Sequence, residues 1–405
     1  MLDMWDLEVS GDSNDLQLHQ EVVDGYLLFS PNLAGTLDKV DVNKMPMTQI
    51  LKAQLFLMAS TQSGHAAASE TADSLDTKIL NDRERQHLAA LIFNLKGDRR
   101  SQCRIFSNIL NSYPSDLLAL RLQHFELFNL GLIDEMLKAV ETALSNCCDD
   151  LPYVSLLGGM QCFALEELGR FDEAIEPGIR AAEANPLDLW SVHSVAHVNE
   201  MTGNFEEGIK WVRTFEHSLR DAGSFAGHIW WHLALLHIQQ GDTGGALKLY
   251  DDYVFEIKSI DGLSMSNAIS LLARLDFLGV NVGERWQGLI PGSIFRMGHH
   301  TNPFNDCHYA YALAKAGAAG SLDELLLSMR EASHRKTHAG RLLQEVAVPL
   351  ASGLASLANG DCATSFREME PIWSKIWMLG GSNAQRDFFD QAIMLSLNGL
   401  GKQKY

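Results

Sequence analysis

Glycines recur along this chain with successive spacings of 34, 38, 34, 38, 38, 41, 40 and 39, and this repeat constrains the fold more than any other feature of the sequence. A run with helical periodicity precedes most of these glycines, as at 189–201, and a second run follows, as at 205–219. Glycine suits the turn that ends the first helix because a positive φ angle costs it no steric strain. The spacing therefore predicts repeated helix–turn–helix units. The repeating positions are Gly97, Gly131, Gly169, Gly203, Gly241, Gly279, Gly320, Gly360 and Gly399.

Prolines and a short signature define the repeated unit further. Pro114, Pro152 and Pro186 follow second helices with spacings of 38 and 34, and a proline there prevents the helix from continuing. The segment Gly-Arg-Phe-Asp-Glu-Ala-Ile at 169–175, with Asn-Pro at 185–186, resembles a tetratricopeptide repeat. Such units bury their apolar faces only against neighbouring units. We therefore predict an all-α protein, a tetratricopeptide-like helix–turn–helix solenoid that curls into a superhelix with a concave groove.

The repeat is uneven along the chain, and this predicts its domain organisation. The segment 1–80 is expected to form irregular N-terminal helices packed on the solenoid, and the segment 81–405 is expected to form the solenoid as a single domain. The repeat degrades from about 258 to 303, and the stretch at about 283–303 is expected to form an irregular loop of the kind that often binds or covers a ligand. Within the segment 1–80 the pattern predicts two helices and one loop, at 15–28, 47–60 and 64–77 respectively.

Composition excludes several classes of function. The formal net charge is −19 and no Lys/Arg-rich run is present, so a nucleic-acid partner is not expected. The acidic N-terminus lacks an apolar core, and no sufficiently long apolar window exists, so we expect neither a signal peptide nor a membrane span. The six cysteines show no Cys-x-x-Cys pattern. Free thiols in a reducing cytoplasm are the expected state.

Two His-x-x-x-His pairs, offset by about one repeat, are the strongest candidates for a site. Residues four apart share one helix face, and the offset of one repeat should make the two faces stand side by side. The four imidazoles are His193, His197, His228 and His232. Glu200 and His237 lie on the same helices closer to the turns. Imidazole transfers protons near neutral pH and ligates transition metals, so the set predicts metal ligation or acid–base chemistry. The alternative, packed histidines that make one local hydrogen bond each, stays open.

A second cluster lies at the start of a later helix, where Asp306 and His308 flank Cys307. Both side chains are predicted to orient or stabilise a charged group if the superhelix brings them to the first cluster. The alternative is that Asn305 or Asp306 caps the helix and that His308 makes a local contact.

A third cluster follows Gly380 and Gly381. Ser382 with Gln385 has the spacing of a capping box that opens the next helix. Arg386 has a guanidinium fork suited to a carboxylate or phosphate, and pairing within the chain is the alternative. The candidate ligand-binding residues are Glu200, Trp231, His237, Gln385, Arg386 and Asp387. Of the adjacent Trp230 and Trp231, one is expected in the core and the other in the wall of the groove.

Several longer segments resemble the tetratricopeptide repeat protein 38 family. The resemblance spans about 80–395 and departs from the expected pattern in the segment before it. It implies a helical tetratricopeptide-like solenoid but no particular reaction. The segments that carry it are 193–201, 228–238, 249–252, 271–275, 279–286, 304–308 and 380–387.

Two functions fit these patterns. In the first, a His-rich concave pocket binds a small molecule or a transition metal and can be catalytic through six residues. These are His193, His197, His228, His232, Asp306 and His308. In the second, the solenoid is a scaffold whose groove takes a peptide or protein partner, since a fold alone does not specify chemistry. The sequence leaves open the reaction, the cofactor, and the oligomeric state, a homodimer included.

Overall fold

The computed structural model describes residues 1–41, 44–147, 151–220, 223–255 and 261–401. Across these ranges the regular structure is helical, apart from an isolated antiparallel bridge between Leu2 and Glu8. The predicted all-α fold class is confirmed. Among the helices in these ranges, none has both the length and the hydropathy that crossing a membrane requires.

The helices follow one another with short connections. In the first half of the chain they are α1 (Leu16–Leu27), α2 (Leu33–Leu37), α3 (Pro46–Met58), α4 (Gln62–Ser74), α5 (Asp82–Leu95), α6 (Arg99–Ser112), α7 (Leu117–Asn129), α8 (Ile133–Asn146), α9 (Leu156–Glu167), α10 (Phe171–Ala184), α11 (Leu189–Met201), α12 (Phe205–Thr214) and α13 (Glu216–Arg220). In the second half they are α14 (Ser224–Gln239), α15 (Thr243–Leu249), α16 (Gly262–Phe277), α17 (Arg285–Gly288), α18 (Ile290–Arg296), α19 (Pro303–Lys315), α20 (Ala319–Ala332), α21 (His338–Leu342), α22 (Val348–Ala358), α23 (Cys362–Met369) and α24 (Asn383–Gly399). Short 3-10 or π-helical segments occur at Ser13–Asp15, Tyr250–Val254, Leu343–Ala347 and Glu370–Leu379.

The chain divides into two compact units. Unit 1 contains Met1–Phe128, Leu132–Thr202 and Lys210–Ala226. Unit 2 contains Asn129–Gly131, Gly203–Ile209 and the chain from Gly227 onward. The division at position 80 and the single solenoid domain remain predictions.

The pair α9 and α10 shows how the sequence builds the repeated unit. Gly169, between the two helices, has a φ of 73°, which lets the chain reverse direction. Its amide donates to the carbonyl oxygen of Glu166 at 2.8 Å, and the amide of Arg170 donates to that of Leu165 at 2.8 Å. The last carbonyl groups of α9 are therefore satisfied before α10 begins. The predicted helix–turn–helix unit is confirmed at this repeat.

The helices α9 and α11 pack closely because Gly159 has no side chain. A Cβ atom at this position would lie 2.9 Å from both the Cα and the Cβ of Ser191. Real Cβ atoms essentially never come so close to backbone atoms. The glycine therefore sets the distance between the two helices that carry the candidate site.

Two of the three predictions for the segment 1–80 are confirmed. The helices predicted at 15–28 and 47–60 match α1 and α3 within two residues at each end. The loop predicted at 64–77 is wrong, because most of it belongs to α4. The hydroxyl of Thr61 accepts from the amide of Gly64 at 3.0 Å and caps this helix, and Ala68 is fully buried. Small residues here serve close packing rather than a turn.

Three later predictions also differ from the structure. Gly399 is the last residue of α24, and the positive φ of a turn is found at Gly401 instead, at 64°. Gly320 lies inside α20, and the turn residue is Gly317, with a φ of 70°. Periodicity alone does not separate two glycines three residues apart. The segment 283–303, predicted as an irregular loop, contains the short helices α17 and α18.

Buried charges tie the N-terminal segment to α5 within unit 1. The guanidinium of Arg83 donates to Asp3 at 3.1 Å and to Asp116 at 3.2 Å. His87 contacts the same oxygen of Asp116 through Nε2 at 2.9 Å. The side chains of Arg83, Asp3 and Asp116 are at most 3% exposed. The first residues of the chain are therefore held by charge-assisted hydrogen bonds in the interior of this unit.

Candidate functional site

The histidines of unit 1 lie on α11, whose bounds match the predicted helix. Asp188 caps this helix by accepting from the amides of Trp190 at 3.1 Å and Ser191 at 3.2 Å. Because four residues make about one turn, His193 and His197 share one face. Their ring centroids are 4.5 Å apart at an interplanar angle of 79°.

A buried carboxylate completes a chain of three ionisable side chains. Nδ1 of His197 lies 3.4 Å from a carboxylate oxygen of Glu166 on α9. Nε2 of His197 lies 3.0 Å from Nε2 of His193. The residues Glu166 and His197 are fully buried, and His193 is 2% exposed. The order within unit 1 is therefore carboxylate, imidazole, imidazole, with each ring of the pair turned toward the other through Nε2.

Sequence reasoning missed Glu166, although a signal for it exists. Glu166 and Glu200 both lie three residues before a turn glycine, so the repeat places them at equivalent positions of successive first helices. Only Glu200 was predicted as a site residue, and the structure places it near the end of α11, partly exposed. Donor atoms of Glu166, Glu167 and His197 lie within 4.8 Å of one another, a grouping suited to a metal ion.

The distance between the two imidazole nitrogens also fits metal ligation. Two nitrogens bound to one tetrahedral zinc ion at about 2.05 Å would stand roughly 3.3 Å apart. The observed 3.0 Å between Nε2 of His193 and Nε2 of His197 requires only a small adjustment. A carboxylate on the other ring nitrogen is the common outer partner of a metal-bound histidine. Glu166 occupies that position for His197.

Aromatic rings surround the two imidazoles of unit 1. Phe163 lies 5.6 Å from the ring of His193 and 5.4 Å from that of His197, centroid to centroid. Trp190 and Phe225 each lie 5.1 Å from the ring of His193. A low-dielectric surround strengthens the electrostatic interactions of the polar groups inside it.

The second histidine pair lies in unit 2, on α14. The ring centroids of His228 and His232 are 4.7 Å apart, and Nδ1 of His228 lies 3.1 Å from the side-chain oxygen of Asn267. Both histidines are buried. The structure thus brings each pair together within its own unit, and a shared four-imidazole site remains a prediction.

Both tryptophans of α14 are buried. Trp231 is fully buried, donates through Nε1 to Ser270 at 3.1 Å, and stacks on His228 with centroids 5.3 Å apart. Trp230 is 3% exposed and stacks on Tyr253. Both side chains thus lie in the core, and Trp231 contacts the second histidine pair from there.

Asp306 and His308 point to different partners within unit 2. A carboxylate oxygen of Asp306 lies 3.1 Å from Nδ1 of His300, whose Nε2 contacts Ser328 at 3.0 Å. Nδ1 of His308 lies 2.9 Å from the carbonyl oxygen of Phe304, and burial lowers the pKa of His308 to about 3. His308 is therefore neutral at physiological pH and makes the local contact that was the alternative interpretation.

The capping alternative at this helix does not hold. Asn302 occupies the N-cap position of α19 without a side-chain capping hydrogen bond, and Asn305 and Asp306 lie inside the helix. On α14, Nδ1 of His237 contacts Asp242 at 2.8 Å, beside the turn that follows the helix.

In the third cluster, Arg386 pairs within the chain, as the alternative interpretation proposed. Ser382 and Gln385 form the predicted capping box at the start of α24. The guanidinium of Arg386 donates to the carbonyl oxygen of Gly381 and to the side chain of Asn383, the latter at 2.6 Å. Asp387 accepts from Arg274 at 3.3 Å and from Gln391 at 2.6 Å. In the described chain Arg386 and Asp387 thus make intramolecular hydrogen bonds, and a ligand-binding role for them remains a prediction.

No protein-family model matches the chain. Among solved structures, the chain is similar to a human IFIT1 dimer with m7Gppp-AAAA, at 14% identity over 98% of this chain and 96% of that one, with a TM-score of 0.40. It is also similar to the APC/C hetero-tetramer Cut9–Hcn1, at 14% identity over 92% and 69% of the two chains, with a TM-score of 0.43. A third similarity is to the P58(IPK) TPR domain, at 11% identity over 89% and 99%, with a TM-score of 0.22. Similarity at this level assigns no function to the chain.

Proposed function

We propose that this helical repeat protein binds a transition metal ion in unit 1, as part of a site for a small molecule. The observation that supports this most directly is the buried chain from Glu166 through His197 to His193. Three ionisable groups in contact at zero to 2% exposure are costly to bury unless they are used together. A bound cation would compensate the carboxylate and take the nitrogen lone pairs.

Each residue of the chain has a defined role in this proposal. The carboxylate of Glu166, 3.4 Å from Nδ1 of His197, would favour the tautomer that carries its proton on Nδ1, and the lone pair of Nε2 would then be directed to a metal ion. Nε2 of His193 supplies the second ligand atom. Because structural zinc sites use four protein ligands and catalytic sites about three, further ligands are required. Glu167 is a candidate within unit 1, and the sequence predicts His228 and His232.

The residues around the ligands determine what the site can do. An open coordination position would let the ion polarise a bound small molecule or water. Phe163, Trp190 and Phe225 exclude bulk water from the imidazoles, which favours an apolar or aromatic ligand body. Catalysis by acid–base transfer would use the same two histidines. Membership of the tetratricopeptide repeat protein 38 family, which we also propose, does not imply a particular reaction at this site.

Elemental analysis by mass spectrometry tests the proposal. The samples are tag-free full-length protein purified without chelator, with His193→Ala, His197→Ala and His232→Ala variants. His19→Ala is a matched control, since His19 is a buried histidine of unit 1 that contacts Thr48 at 2.9 Å. We expect about one equivalent of metal in the wild type and the control, and none in the His193 and His197 variants.

The outcomes separate the alternatives. Loss of metal in His232→Ala would add the predicted residues of unit 2 to the ligand set, and retention would remove His232 from it. A wild-type protein that holds no metal after titration with Zn²⁺ or Co²⁺ would overturn the proposal. A peptide scaffold would then be the better hypothesis.

A further inference from the structure

A second feature of unit 1 concerns Arg121, on α7. Arg121 is 4% exposed, and its guanidinium carbon lies 4.1 Å from the ring centroid of Trp190 and 5.3 Å from that of Phe29. It makes no hydrogen bond and no ion pair with any residue in the described ranges. A guanidinium carries five N–H donors, and the described chain supplies no acceptor to any of them in Arg121.

Other buried polar groups in the described part of unit 1 also lack hydrogen-bond partners. Within the described chain, the hydroxyl of Tyr26, Nε1 of Trp190 and both ring nitrogens of His124 have no hydrogen-bond partner. His124 lies three residues after Arg121 on α7, and its ring contacts that of Trp190 at 5.8 Å. Burial has the larger influence on the pKa values of Tyr26 and His124, and the charge of Arg121 acts to lower both. Buried polar groups without partners are rare in folded proteins.

The carboxylate of Asp188 does not form an ion pair with Arg121. Asp188 influences Arg121 electrostatically, but no nitrogen–oxygen pair between these two described residues lies within 4.0 Å. Its oxygens already accept from the amides of Trp190 and Ser191 and from the hydroxyl of Ser191. Arg83, the other deeply buried arginine of unit 1, contacts two carboxylates at 3.1 and 3.2 Å. Within the described chain, one buried guanidinium of this unit therefore has two carboxylate partners, and the other has none.

We propose that Arg121, with Tyr26 and His124, binds the carboxylate of a small organic acid. The planar fork of a guanidinium matches the two oxygens of a carboxylate, and such charge-assisted pairs are strong when buried. Burial, reinforced by Arg121, holds the pKa of His124 well below its usual value, so His124 adds no second charge. One positive charge matches a monocarboxylate rather than a doubly charged phosphate ester.

The surrounding rings indicate an aromatic or apolar body for this acid. Phe29 and Phe225 stack with centroids 4.1 Å apart, and Trp190 stacks on Phe225 at 5.7 Å. The ring centroid of Trp190 lies 4.1 Å from the guanidinium carbon of Arg121 and 5.1 Å from the ring centroid of His193. An acid held by Arg121 would thus lie beside the same indole that contacts the proposed metal ligand His193. The idea that this acid is the ligand of the metal site rests on the proposed function. The binding of a carboxylate by Arg121 does not depend on the metal.

Calorimetric titration of chelator-stripped, full-length protein tests the inference. The probes are benzoate and acetate, with benzamide as the neutral match of benzoate and inorganic phosphate as the competing anion. We expect benzoate to bind at least about tenfold more tightly than benzamide or phosphate. Arg121→Met should abolish this difference.

Thermal unfolding distinguishes a binding role from a structural one. Because Arg121 has cation–π contacts but no carboxylate partner in the described chain, Arg121→Met should lower the Tm of the ligand-free protein less than Arg83→Met does, and it should abolish the rise that benzoate causes. Arg83→Met, the matched control with two carboxylate partners, should lower the Tm. If Arg121→Met does not fold, Arg121→Lys keeps the charge, loses the fork and should bind benzoate more weakly.

Three results would overturn the inference. They are the absence of carboxylate binding by the wild type, tighter binding of phosphate, and unchanged benzoate affinity in a folded Arg121 variant. Arg121-dependent benzoate binding by a protein that never takes up metal would uphold the inference and reject only the metal site. The two failures are thus distinguishable.

Discussion

Replacing Glu166 by glutamine tests the chemistry of the candidate site at one atom. The substitution keeps the size of the side chain and an acceptor oxygen, but it removes the negative charge that lies 3.4 Å from Nδ1 of His197. If the carboxylate orients His197 and makes it a better ligand, metal affinity should fall while the ligand atoms themselves remain.

The expected loss is intermediate in size. Outer partners of metal-bound histidines typically contribute about 10- to 100-fold in affinity, or about 1.4–2.7 kcal/mol. Both Glu166 and His197 are fully buried, so solvent does not screen this interaction. Removal of a direct ligand in His197→Ala should cost more than the change at Glu166.

Competition titration with Co²⁺ or Zn²⁺ against a chelator of known affinity measures the effect. Glu176→Gln is the control for the chemistry of the substitution, because Glu176 is an exposed residue of α10 paired with Arg180. Thermal unfolding of the metal-free variants checks that the fold persists. Equal affinity in wild type and Glu166→Gln, or an equal loss in the control, would refute the role assigned to this carboxylate.

Three further predictions concern the packing and charges of unit 1. Arg83→Met should lower the free energy of unfolding by about 3–5 kcal/mol, measured in urea, because Asp3 and Asp116 lose their partner in the interior; a loss below about 1 kcal/mol would contradict this. Burial raises the pKa of Asp116, but His87 and Arg83 outweigh it and hold that pKa well below its usual value near 3.8. The ionised Asp116 therefore contributes stability above that value, and this contribution is lost as the pH falls toward the pKa of the folded state. Below about pH 4 the wild type should lose more stability than Asp116→Asn, and parallel pH profiles of the two proteins would contradict this prediction. Gly159→Ala should lower the free energy of unfolding by about 1–3 kcal/mol and weaken metal binding, because the added Cβ would displace Ser191 on α11. Gly169→Ala should lower the free energy of unfolding by about 1–2 kcal/mol and leave metal affinity intact.

Local patterns in the sequence were enough to predict the structure of the repeat. Apolar periodicity placed α11 at its observed bounds, and the glycine spacing placed the turn at Gly169. These features depend on neighbours within a few residues, so a local pattern contains them. The same holds for His193 and His197, whose four-residue spacing required them to share a helix face.

Where several local structures fit the same residues, the pattern was insufficient. The small residues at 64–77 were predicted as a loop, yet the cap at Thr61 and the burial of Ala68 place most of them in α4. Gly320 had the expected spacing, but Gly317 has the positive φ that the turn requires.

Which groups meet across helices depends on packing that no local pattern contains. Glu166 reaches His197 because Gly159 lets α9 approach α11, a contact between residues in successive repeats of the chain. Arg121 carries no sign in the sequence that it is buried without an anionic partner. Packing between helices fixes burial and pairing, and these set the cost of a charge and the ligand that would offset it.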